Sequence, residues 1–149
     1  MAKLKIEFDG FDEVLNRLKN LEADVKSVTE KALKESHNYV TPNVHSAIAP
    51  HNKSGDTERS IVENANVTWT GSTASVEVGF DLKNGGLPSV FLMFGTKAHT
   101  VLAHGTPRRH PGINADKKLY NSIYGSTTQS KVRQIQEDIF YEAIRKSGG

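Results

Sequence analysis

Apolar and polar positions alternate over residues 3–8, where Leu4, Ile6 and Phe8 fall on one side. That alternation predicts a short, half-buried strand. Asp9-Gly10 ends it, and Asp9 or Asp12 can cap the next element. The period then changes to three or four. Phe11, Val14, Leu15, Leu18, Leu21, Val25, Val28, Ala32 and Leu33 form one stripe and predict a long helix over residues 10–40. Its other face pairs Glu13 with Arg17, Glu22 with Lys26 and Glu30 with Lys34, each acid four residues before its base. Such pairs contribute roughly 0.2–0.5 kcal/mol each and read as a solvated face more readily than as a docking surface. The helix is expected to end near Tyr39. Thr41-Pro42 would then open a second short helix whose apolar side is Val44, Ala47 and Ile48.

Residues 49–56 read as a loop by composition. Ile61, Ala65, Val67 and Trp69 alternate with mostly polar neighbours, a turn comes at residues 70–73, and Ala74, Val76, Val78 and Phe80 alternate again. Together they predict a β-hairpin over 60–80 with one core face. Residues 81–88 read as a turn or exposed loop. Next comes the densest apolar run of the chain, Val90 to Phe94, expected to be buried because such a run needs cover. After Gly95-Thr96, residues 95–114 show no helical or strand period and read as a long loop presented by a scaffold. Asn114 can cap a helix containing Leu119, Tyr120 and Ile123, which Gly125 is placed to end. Residues 126–130 read as a polar linker, and Val132, Ile135, Ile139, Phe140, Ala143 and Ile144 mark a final amphipathic helix. The sum is a single α+β domain over 1–149. It has a small antiparallel or mixed sheet, packed by the long N-terminal helix and by helices in 115–146. Leu18, Val25, Val78 and Phe91 are expected in the core.

A chain of 149 residues can bury one core, and its net charge of +2 does not by itself imply nucleic acid or membrane. Cysteine is absent, so disulfides and thiolate metal sites are excluded. The first residues lack an apolar segment of signal-peptide length, and no run is long enough to span a bilayer. A soluble protein made in the cytoplasm, with no membrane contact, is expected.

Candidate chemistry concentrates after the apolar run. His99, His104 and His110 lie on one loop, but their spacing matches no familiar zinc pattern, and only Asp116 stands near enough in sequence to complete a set. A histidine-dependent metal enzyme is therefore the weaker alternative, and no metal or cofactor is expected. Ser54 and Ser60 lie near His51 and Asp56 without a nucleophile elbow, so catalysis is not expected. Gly95-Thr96-Lys97 lacks the upstream glycines of a phosphate loop. Between residues 97 and 118, Lys97, Arg108, Arg109, Lys117 and Lys118 face only Asp116, a net charge of +4. This surface can meet a phosphate backbone without sequence preference, or acidic residues of another subunit.

Two motifs in order carry a family resemblance. The first is Ser54-Gly55 followed by Ser60-Ile61. The second is Val76 to Phe80 with Gly79, then the apolar run ending in Phe94-Gly95-Thr96 and a loop bearing His and Pro. With the long helix before them, these residues resemble the neck family of long-tailed bacteriophages, whose members are called tail-completion, head–tail joining or minor tail proteins. The resemblance spans about residues 10–125. The chain departs from the family pattern at Thr57, at Met93 and over 110–115. The resemblance implies a structural virion protein rather than an enzyme. It would form a ring of six copies at the head–tail junction, between head-closure or connector proteins and tail-terminator or tail-tube proteins, with DNA passing through the lumen. The segment of Lys97, His99, His104, Arg108, Arg109 and His110 would then face a subunit, a partner or the DNA.

Overall fold

The computed structural model describes residues 3–7, 16 and 24–147. The expected first part of the long helix, including Leu18, lies outside these residues. So do Phe8 and the proposed caps Asp9 and Asp12.

Strand β1 (Lys3–Glu7) is followed by helix α1 (Val25–Ile48), a 3-10 turn (Ala49–His51) and a single helical turn, α2 (Asp56–Arg59). Strands β2 (Thr68–Thr70) and β3 (Thr73–Gly79) come next. A wide turn at Leu82–Gly86 then leads into helix α3 (Leu87–Phe94). Strands β4 (His99–Ala103) and β5 (Thr106–His110) precede helices α4 (Lys117–Tyr124) and α5 (Ser126–Ser147). Among the described residues the strands form an antiparallel sheet in the order β1-β3-β2 and a separate pair, β4-β5. The class is α+β: the long N-terminal helix packs on β3 of the sheet, and the C-terminal helices pack against that helix rather than on the sheet itself.

Helix α1 is the spine. Asp24 caps it, accepting from the Ser27 amide at 3.1 Å. Its inner face carries Ala32, Leu33, His37, Val40, Val44 and Ile48, which meet Val76 and Val78 of β3, Leu119 and Ile123 of α4, and Phe140 of α5 in one core. The expected break at Thr41-Pro42 does not occur, and α1 runs through both residues. Pro42 lies on the exposed face, while the buried stripe continues on either side. An interior proline costs about 3 kcal/mol, and packing along a helix this long offsets it.

Buried polar groups in the core are paired. His37 donates from Nε2 to the Val62 carbonyl at 2.8 Å, and buried Gln136 donates to Ser36 Oγ at 3.3 Å. Trp69 donates to Glu30 at 2.9 Å, tying the sheet edge to α1.

The hairpin expected over 60–80 is shorter than its alternation suggested. Only Thr68–Thr70 pairs with β3, and Ile61 meets Phe80 through an isolated bridge. Residues 126–130, expected as linker, are the first turns of α5, and the helix expected to be capped by Asn114 is capped by Asp116 instead.

Two larger expectations fail. The run Val90 to Phe94 is not a buried block but part of α3, with Pro88 in its first turn. Ser89 and Met93 point inward, whereas Leu87, Phe91 and Phe94 are 53%, 44% and 51% exposed. Residues 95–114 are not a loop but a hairpin.

Candidate functional site

The motif residues fall into two places along α3. At its start, Ser60 is buried, with its Oγ donating to the Thr57 carbonyl at 2.6 Å and its carbonyl accepting from the Asp81 amide at 2.7 Å. Ile61 bridges Phe80, and the Val62 amide donates to the Gly79 carbonyl at 2.8 Å. Ser54 and Gly55 lead into α2, where Asp56 accepts from Ser54 Oγ and pairs with Arg59. The first motif and the Val76 to Phe80 part of the second thus meet at the point from which α3 departs. They are framework.

At the end of α3 stands Gly95, with φ 72° and ψ 174°, a region open essentially to glycine. A side chain there would bring Cβ within 2.6 Å of the Ile113 carbonyl oxygen and 2.9 Å of the Ala115 amide. The close approach allows Thr96 and Ile113 to form an antiparallel bridge. Opposite it, Gly112 has φ 90°, and a Cβ there would lie 2.3 Å from the Thr96 carbonyl oxygen. Phe94-Gly95-Thr96 is therefore the clasp at the foot of the β4–β5 hairpin.

His104 and Gly105 form the two-residue turn of that hairpin, both at positive φ, 52° and 79°. This is the backbone sign of a type I′ turn, and histidine is among the residues that tolerate it. Thr106 pairs with Ala103 and Pro107 with Leu102. The glycine at the second turn position was the available sequence signal. Among the described residues, the substantial contacts of β4 and β5 are with each other alone.

Register divides the hairpin into two faces. His99, Val101, Ala103, Thr106, Arg108 and His110 share one, and the His99 and His110 rings stack with centroids 5.0 Å apart. Thr100, Leu102, Pro107 and Arg109 share the other. The two arginines, adjacent in sequence, point to opposite sides. Both are exposed, as is Lys97, and Leu102 is 75% exposed. Of the eight large hydrophobic residues exposed among those described, seven lie from Leu87 to Tyr120, on α3, the hairpin, its foot and the start of α4. Phe94 and Tyr120 contact edge to face at 5.7 Å, so this apolar surface is continuous from α3 to α4.

The histidines do not converge. His104 is at the far tip from the stacked pair. His99 donates from Nδ1 to the Lys97 carbonyl at 2.8 Å, and His110 Nδ1 accepts from the Gly112 amide at 3.0 Å. Asp116, the carboxylate nearest in sequence, is engaged by His51 at 2.6 Å and caps α4 through the Leu119 amide at 3.0 Å. The His51 bond, with that amide, holds the Asp116 carboxyl below its usual range against the opposing effect of burial. Among the described residues no three histidine or acidic side chains are grouped to hold a metal ion. With His51 directed to Asp116 and Ser60 Oγ to Thr57, the serines, His51 and Asp56 do not assemble a triad. No described helix is long and apolar enough to cross a membrane.

No family model, curated protein or solved structure matches the chain.

Proposed function

We propose that this protein is a structural component of a tailed-phage virion, acting in tail completion or head–tail joining as a ring around the DNA channel. The observation that carries the proposal is the β4–β5 hairpin, which projects from an apolar base with both faces in solvent. A two-stranded hairpin on its own is marginally stable in water, and an apolar surface of this kind marks a place for a partner. The motif residues Ser54, Gly55, Ser60, Ile61, Gly79, Phe94, Gly95 and Thr96 support the family reading. Their positions suit a rigid body that aims the arm.

The mechanism is mutual ordering. Each arm is fixed when neighbouring subunits cover it, so the cost in conformational entropy is met only in the assembly. The partners are other copies, six in the ring, together with head-closure or connector proteins on one side and tail-terminator or tail-tube proteins on the other. Arg108, Arg109 and Lys97 are available to subunits or to DNA in the lumen. The ring assembles in the host cytoplasm and ends at the head–tail junction.

The test is removal of the coding sequence from the phage that carries it, followed by electron microscopy of the lysate. Filled heads and free tails side by side are expected. Normal virions from the knockout would end this reading.

A further inference from the structure

The sequence places opposite charges on either side of α3. From Ser54 to Asp81 there are five acids, Asp56, Glu58, Glu63, Glu77 and Asp81, against Arg59 alone, a net charge of −4. From Lys97 to Lys118 the net charge is +4. Three of these acids, Glu63, Glu77 and Asp81, line a shallow cleft at the start of α3 together with Arg59, Ile61 and Val62, and the hairpin leaves from the other end. An eight-residue helix separates the two surfaces by about 12 Å.

We propose that the hairpin of one copy docks in the acidic cleft of a second copy, through the face that carries Leu102 and Arg109. This rests on the assembly reading above and names the surfaces that join. The face pairs an exposed leucine and proline with a cation, and the cleft pairs half-buried Val62 with carboxylates on its rim. Within the cleft Arg59 is already held by Asp56, and Lys5 stands opposite Glu77 in the β1–β3 register. Glu63, bonded to His45, and Asp81, which accepts from the Lys83 amide and Asn84, complete the rim. Because arm and cleft are different surfaces of the same molecule, the contact is head to tail. Repetition closes a ring or propagates a filament according to the rotation between copies. Arg108, on the other face with the histidine pair, is left outside the contact.

Sedimentation velocity on the full-length chain tests this. The wild-type protein should self-associate at tens of micromolar, and a wild type that stays monomeric throughout overturns the proposal. Arg109→Glu should weaken association by at least about tenfold, the low end for loss of a close interfacial charge pair. Arg108→Glu should have a clearly smaller effect. Glu63→Arg with Glu77→Arg should also weaken it, and Glu63→Gln with Glu77→Gln provides a gentler change should the reversal disturb folding. Mixing the Arg109→Glu protein with the cleft-reversed protein should restore association, since each arm then meets a cleft of opposite charge. Equal losses from Arg108→Glu and Arg109→Glu, or no rescue on mixing two folded variants, would overturn it. Sedimentation reads self-association and lysate microscopy reads joining, so failure of this docking mode is distinguishable from failure of the neck function.

Discussion

Thr96 and Ile113 exchange both of their backbone hydrogen bonds, 2.8 Å in one direction and 3.1 Å in the other, and close the foot of the β4–β5 hairpin. Thr96 Oγ1 also accepts from the Ile113 amide at 3.0 Å. The bridge depends on Gly95. Gly95→Ala should cost at least about 1–3 kcal/mol, the range for a residue forced into a sparsely populated conformation, with the clash against Ile113 added. Denaturant unfolding measures the loss, and limited proteolysis should show new cleavage in residues 96–113. A variant as stable and as resistant as the wild type would show that the clasp is dispensable.

The two aromatic residues Phe80 and Phe91 should behave oppositely. Phe80 is fully buried and Phe91 is not. Phe80→Ala should cost about 3–5 kcal/mol. Phe91→Ala should cost about 1 kcal/mol or less in the isolated chain while weakening assembly. A large loss of stability from Phe91→Ala would mean that this face of α3 serves the fold rather than a partner.

That contrast marks what sequence could reveal. The alternation of Ala74, Val76, Val78 and Phe80 reflects a strand with one buried face, and the stripe of α1 reflects a helix with one buried face. Both were legible because one-sided burial writes its period into the chain. Val25, expected in the core, is half-buried, and Val78 is fully buried. The short run Val90 to Phe94 carries no period of its own, because α3 is apolar on its inner and outer sides alike. The hairpin was illegible for the converse reason. With solvent on both faces, residues 99–110 have no burial to pattern them, and Pro107 is a residue type that disfavours a strand. A proline is tolerated there because it pairs one step beyond the turn on an edge strand, where no ladder donor is required. Contacts distant in sequence, such as His51 with Asp116, leave no local trace.

The His51–Asp116 bond should appear in the acid limb of stability. A carboxyl held below its ordinary range stabilises the fold at pH above about 4, the unfolded value, and that contribution is lost as pH falls through the lower folded value. Asp116→Asn should therefore be less stable than wild type near neutrality, and the gap should narrow below about pH 4. Stability curves that stay parallel down to about pH 2 would contradict the assignment.

The turn offers a stabilising test. Asparagine at the first central position of a type I′ turn is favoured over histidine. His104→Asn should slow amide hydrogen exchange in β4 and β5 without changing exchange in α1. Unchanged exchange in the hairpin would show that its turn is not what limits its opening.

The hairpin exists, on this reading, for a partner and not for the fold. Deleting Val101 to Arg109 should leave the unfolding midpoint of the purified protein close to wild type, because no buried residue lies within the deletion. Supplied to a phage lacking the wild-type copy, the same variant should yield filled heads and free tails that remain apart under the electron microscope. Normal virions assembled from this deletion would contradict that role.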